Sequence, residues 1–362
     1  MKEITTLSSD RIFTGNIVIF QAFDIGDDIN LEAVKQSASI LVRPLALSKY
    51  FKNYHTPLRI DLPHPHSSSR FDTASIHSFG VISLVYKVPF RNTLENLRKE
   101  LVGLDATFQE QSVIDAGSIF RVIKNYVKQP RFFHLRTSYV VIQVDPQPDQ
   151  LGIVELKDHH GGTIADMLRF ETEVLAEYQR NEMLSSAIGY YRGDLFIIDT
   201  HAAFFYDDDY QDSLDLVEFA NIQQLELQYF DRMLDRQLNA VYQREVHRIP
   251  FSLYLPFINV TKDPIEALNI LKVEISVITE RLKSSIKLAG EEYISELYSL
   301  LVDRLDLNNW KVGIEDKLAI IKDLNSVRQS KIDVRREDLL SVLIIVLIFI
   351  ELIVGILHLM KK

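Results

Sequence analysis

A chain of 362 residues with 47% hydrophobic content is long enough to bury one large core or two modest ones. Its net charge of −10 argues against a generic nucleic-acid binder, which needs a basic face to displace counterions from phosphates. With no Cys it holds no disulfide scaffold, Cys-zinc site or thiol nucleophile.

Asn16 to Phe23 (NIVIFQAF) is β-branched and aromatic and leads into the turn-like Gly26-Asp27-Asp28, so it reads as a strand. Asn30 is placed to cap a helix running to about Ala38, with Glu32 near its positive end. Four prolines break Arg43 to Arg70 into loop, with a short strand over Leu58 to Leu62. Ser75 to Val88 is a long strand or a hairpin pivoting near Gly80. Asn92 and Glu95 have capping-box spacing for a helix to about Leu101, and a second helix covers Ala116 to Lys128. Tyr139 to Val144 and Leu151 to Leu156 flank a Pro-containing turn, which predicts an antiparallel hairpin. Thr163 to Gln179 reads as helix, and Asp194 to Asp199 and Ala202 to Tyr206 as two short strands. This mixture predicts an α+β fold over residues 1–210, a sheet with helices on one face.

From there the pattern is helical, and residues 211–338 read as a stalk or coiled-coil-like bundle. Leu214 to Gln243 carries Leu227, Phe230, Leu234, Leu238 and Val241 on one stripe that a partner helix must cover. Within it Asp231, Arg232, Asp235 and Arg236 set two acids and two bases four residues apart, a pattern for surface ion pairs or for choosing a partner helix. Asp263-Pro264-Ile265-Glu266 opens a helix whose Leu268, Leu271, Ile275, Ile278 and Leu282 have the spacing of a coiled-coil seam. A shorter helix runs from about Glu291 to Arg304. The last begins near Asn308 or Asn309, with Trp310, Ile314, Leu318, Ile321 and Leu324 on one face.

No Pro or Gly interrupts Glu315 to Val354, so this helix is expected to continue unbroken into Leu339 to Met360. The part from Trp310 to Asp338 would hold the preceding domain up to about 43 Å from a bilayer. Leu339 to Met360 itself is apolar apart from Ser341, Glu351 and His358, and its length of about 33 Å matches a hydrocarbon core of about 30 Å. It reads as a single transmembrane anchor, followed by the basic tail Lys361-Lys362. Arg328, Lys331, Arg335 and Arg336 before the span outnumber the two lysines after it, which places the bulk of the chain in the cytoplasm. The absence of a signal-peptide pattern in Met1 to Phe20 fits that side. An ionised Glu351 near mid-span costs about 2.5 kcal/mol or more, so it is expected to be protonated and to hydrogen-bond a neighbouring copy, or to line a path for ions or protons.

The run Gly290 to Tyr298 (GEEYISELY), Trp310, Lys317-Leu318 and Arg335-Arg336-Glu337 leading into the apolar segment resembles the family that includes the yeast "required for meiotic nuclear division" proteins and their mitochondrial and bacterial relatives. Phe79-Gly80-Val81 is similar to an aromatic-Gly-Val strand there, and the paired aspartates of Phe230 to Arg236 look like its bacterial branch. The resemblance implies a mixed α/β N-terminal region, long helices and a C-terminal membrane helix with an internal Glu, matched by Glu351. It implies anchoring and assembly, since the mitochondrial members are inner-membrane proteins that support translation and form large complexes. It brings no catalytic motif, and without a transit peptide a mitochondrial role is not carried over.

The sequence has no P-loop, dinucleotide fingerprint, G-x-S-x-G elbow or H-E-x-x-H helix. Asp158, His159 and His160, beside Gly161-Gly162, and Asp199 with His201 are the candidate metal ligands, weighed against a polar loop; adjacent histidines could share a metal only in a loop conformation. The reading is a tail-anchored, homo-oligomeric scaffold or tether whose partners are the lipid bilayer, further copies and other proteins, with neither nucleic acid nor cofactor and no catalysis. Its rivals are an oligomeric channel lined by Glu351 and a membrane-anchored metal-dependent enzyme. The proposed contacts are Glu351, Arg335, Arg336, Lys361 and Lys362 at the membrane, and the seam residues with Ile314, Leu318 and Ile321 between helices.

Overall fold

The structure, a computed structural model, describes residues 11–37, 39–45, 56–61, 70–132, 135–147, 151–171, 173–189, 193–245, 272–273, 275–276 and 292–360. Ten strands are described: β1 (Phe13–Asp24), β2 (Asp28–Ile29), β3 (Val42–Pro44), β4 (Leu58–Ile60), β5 (Thr73–His77), β6 (Val81–Asn92), β7 (Val127–Lys128), β8 (Arg136–Val144), β9 (Leu195–Ile198) and β10 (Ala202–Tyr206). The named helices are α1 (Leu31–Gln36), α2 (Leu94–Ile123), α3 (Ile153–Leu168), α4 (Glu177–Ser185), α5 (Gln211–Glu245), α6 (Glu292–Arg304) and α7 (Leu307–Met360). The chain divides into two compact units, Met1–Tyr229 with Ile278–Lys311, and Phe230–Val277 with Val312–Lys362.

The first unit is built on an eight-stranded sheet in the order β3-β4-β5-β6-β1-β8-β10-β9, with β2 and β7 forming a separate pair. β1 is apolar on both faces because both are covered: Ile17, Ile19 and Phe23 point one way, Val18, Phe20 and Ala22 the other, and all are buried. It pairs antiparallel with β6 and with β8, so that Ile19 lies between Tyr86 and Val140. β8 and β10 are parallel, joined by a crossover through α3, α4 and β9. Leu94, Leu97 and Ile119 of α2, and Leu156 and Ile164 of α3, form one core with Ile17, Ile19, Leu84 and Ile142, so the helices up to residue 210 lie on one face. The other face is covered by residues 211–229 of α5 and by α6. Thr137 donates to Asn221 O, Tyr298 to Gln223, and the Phe196 and Tyr293 rings lie 5.5 Å apart.

Both edges of this sheet are blunted. β3 is three residues long, carries Arg43 and ends in Pro44, and β9 is bridged on its outer side by Ile188, which exchanges backbone hydrogen bonds with Phe196.

In the second unit Phe230 and Leu234 of α5 and Ile314 and Ile321 of α7 are buried, as is Ile275. Lys317 of α7 reaches Asp231 at 2.6 Å and Asp235 at 2.7 Å. The chain is thus α+β: a mixed sheet with helices, further helices, and a C-terminal apolar helix.

Several sequence expectations are met. Asn30 caps α1 by accepting from Ala33 N at 3.0 Å, Gly80 turns the β5–β6 hairpin at φ +93°, and α7 runs unbroken to Met360. Others need correction. Leu151 to Leu156 is no strand and there is no β8 hairpin: α3 begins at Ile153, where Glu155 accepts from Gly152 N in capping-box fashion. α3 ends at Leu168, so Thr163 to Gln179 is not one helix. The two helices expected between Asn92 and Lys128 are the single α2, capped by Thr93 and not Asn92. Leu268, Leu271, Ile278 and Leu282 of the coiled-coil seam lie outside the described residues.

Candidate functional site

The α5 side of the sheet is unusual for a buried layer. Alternation puts Arg59 of β4, Thr73, Ser75 and His77 of β5, and Ser83 and Lys87 of β6 on this face, beside Val18 and Phe20 of β1. Facing them, helical spacing puts Asp215, Glu218, Ile222 and Glu226 on one stripe of α5. Together they enclose a cleft of about 260 Å³ lined by Arg59, Asp72, Ser75, His77, Lys87, Asp215 and Glu218, with Phe20 and Phe219 among its apolar walls.

Pairing across the cleft is specific. Ser83, fully buried, donates to Glu218 at 2.5 Å. Lys87, at the exposed rim, donates to Tyr210 at 3.2 Å and lies over its ring. Burial pushes the Glu218 carboxyl up to about 7, against the hydrogen bond from Ser83 and the charge of Arg59. Burial likewise pushes Asp215 up to about 6, and holds the His77 imidazole down to about 3, uncharged at neutral pH.

Along the same face a charged network closes the end of the sheet. Arg131 grips Asp24 with two hydrogen bonds of 2.8 and 2.9 Å, pairs with Asp27, and carries the Tyr229 ring 4.3 Å from its guanidinium carbon. Burial raises both Asp24 and Glu226, the latter well above the usual carboxylate range with the charge of Asp24 adding to the effect.

The candidate metal ligands are not brought together. Asp158, His159 and His160 lie inside α3, not in a loop; Asp158 and His159 are exposed, whereas His160 packs edge-on against Phe13 at 5.2 Å. Asp199, fully buried in the β9–β10 turn, is paired with Arg169, and its carbonyl accepts from Tyr139 at 2.7 Å; His201 beside it is exposed. Among the described residues no group of three or more His, Cys, Asp or Glu could hold a metal ion.

Toward the C-terminal end of α7, Glu351 and Arg335 are exposed, while the Arg336 side chain and Lys361 and Lys362 lie outside the described residues. Asp333–His358 of α7 is long and apolar enough to cross a membrane, with mean hydropathy 3.2. Leu318 is half-buried beside Ile314 and Ile321, Arg232 and Arg236 point to solvent, and Asp231 and Asp235 meet Lys317.

Arg59, Ser75, His77, Ser83, Asp215 and Glu218 were not singled out from the sequence. Their signal was there: polar residues at alternate positions of strands whose other positions are apolar, answered by acids at helical spacing in Asp215 and Glu218.

Comparison with known proteins adds one family. The family described as "Uncharacterized protein MJ0711, N-terminal domain" matches residues 14–213, more than half of the chain. The uncharacterized protein MJ0711 of Methanocaldococcus jannaschii is 25% identical over 194 residues, covering 53% of this chain and 58% of the relative. The match runs from β1 into the first turn of α5, so it holds the sheet wall of the cleft and stops short of Asp215 and Glu218. No solved structure matches.

Proposed function

The chain belongs to the MJ0711 N-terminal domain family, and from that premise we propose that it is a tail-anchored scaffold or tether, displaying the family's sheet domain at the cytoplasmic face of a membrane as a homo-oligomer. The observation that carries this reading is α7, one helix from Leu307 to Met360 whose segment Asp333–His358 is long and apolar enough to cross a membrane and has no part of its apolar window buried. An exposed apolar surface of this length needs lipid or other helices to cover it. Glu351, in the apolar segment, is the polar group that would link copies by hydrogen bonds from helix to helix. The resemblance of the last seventy residues to the "required for meiotic nuclear division" proteins supports anchoring and assembly too.

The test is the mass by light scattering of the full-length chain in detergent beside a chain truncated after Asp338. The same oligomer in both assigns assembly to the part before the anchor. Assembly of the full-length chain alone into a ring of four or more moves Glu351 to the wall of a pore. Two monomers overturn the scaffold.

A further inference from the structure

The cleft on the α5 side of the sheet combines three properties that structural packing alone does not require. Arg59 and the carboxyls of Asp215 and Glu218 line the same cavity, and the charge of Arg59 acts on both. Among the described residues, however, Arg59 forms neither an ion pair nor a hydrogen bond with them. Opposite charges meant only to hold two segments together would close into contact, as Arg131, in the loop after β7, does with Asp24 of β1 at 2.8 Å. Here they face each other across about 260 Å³. The walls between are mixed, with the hydroxyls of Thr73 and Ser75 on one side and the rings of Phe20 and Phe219 among the apolar groups. That volume lies below the roughly 300–1,000 Å³ of sites for drug-sized ligands and suits on the order of ten non-hydrogen atoms.

We propose that this cleft binds a small zwitterion of amino-acid size, its ammonium group held by Glu218 and Asp215 and its carboxylate by Arg59. An ammonium group supplies the donors that two crowded carboxyls lack, and a guanidinium offers a planar fork to a carboxylate. A simple cation would satisfy the acids and meet repulsion from Arg59, and a simple anion would meet the reverse. A molecule carrying both charges at its two ends answers both. The proposal does not depend on how the chain is anchored or on its oligomeric state.

The experiment uses the full-length protein in detergent micelles. Thermal melting and titration calorimetry are recorded with glycine, L-alanine, β-alanine, γ-aminobutyrate and L-leucine, and with n-butylamine and butyrate as the two separated halves. At least one of the five zwitterions is expected to raise the melting temperature and to titrate, with both halves about tenfold weaker or more. Glu218→Gln keeps an acceptor for Ser83 and should weaken that ligand about tenfold or more, as should Arg59→Gln; Lys317→Ala, in the other compact unit, should leave it unchanged. Melting without ligand and circular dichroism confirm that each variant is folded. Should Arg59→Gln fail to fold, Glu218→Gln alone decides. The proposal is overturned if no zwitterion binds at millimolar concentration, if butylamine or butyrate binds as tightly, or if binding survives Glu218→Gln.

Discussion

Below about pH 7, Glu218 holds a proton that the unfolded chain would release. A carboxyl raised to about 7 binds more protons in the native state than in the unfolded one between its ordinary value and about 7. Stability therefore falls as pH rises through that window. Asp215, raised to about 6, acts with the same sign. His77 acts with the opposite sign: lowered to about 3, it costs stability as the unfolded imidazole gains its proton below about 6.5. Acidifying from pH 8 to about 6.5 should consequently raise the melting temperature, and Glu218→Gln should flatten that slope, as a series of thermal melts would show. Arg131 makes a sharper prediction. Replacing it by Met leaves Asp24, 2% exposed, without its two hydrogen bonds, and should cost about 3–5 kcal/mol in denaturant unfolding. At this scale the sequence was readable where one residue acts on its own neighbours. Asn30 as a cap and Gly80 as a pivot need no distant partner to be recognised. Arg59 and Glu218 were not readable as a site, because they lie far apart in the chain and only the packing of α5 on the sheet brings them to one cavity.

Elements were legible in proportion to how local their causes are. The strands at Ala202 to Tyr206 and the long helices from Gln211 and Leu307 follow from period alone. The stretch after β8 misled because LGIVEL is short and apolar and Gly161-Gly162 looks like a turn. In α3 those glycines serve close packing instead: a Cβ on Gly161 would come within 2.8 Å of Leu184, and one on Gly162 within 3.0 Å of Arg180. Both partners belong to α4, so the glycines let the two helices approach. That reason lies in tertiary structure and is invisible to a local pattern. α2 was split for a similar reason: its buried residues fall in two groups, from Leu94 to Leu101 and from Ser112 to Ile123, while the stretch between them is at most half-buried. The pair of α5 with α7 in the second unit depends partly on Lys317, which bridges Asp231 and Asp235. Lys317→Ala should lower stability by about 0.5–1 kcal/mol, since these groups are only partly buried, and the difference should shrink in high salt. Urea unfolding of the two proteins at low and high ionic strength measures both.

At the scale of the whole molecule, the apolar end of α7 sets the handling of the chain. The full-length protein should stay with membranes through an alkaline carbonate wash and leave them only with detergent. A chain truncated after Asp338 should appear in the soluble fraction, and sedimentation followed by immunoblotting distinguishes the two. The division of labour between sheet and helices was legible from composition and period. The cleft required the fold.

The blunted sheet edges matter most for a chain tied to a surface. Confinement to a plane raises the frequency with which identical molecules collide side by side, and an open strand edge would turn such collisions into templated growth. β3 is too short and ends in a residue without a donor, and β9 already has Ile188 along its outer side. Copies brought together by crowding therefore meet at edges that do not template a continuous sheet.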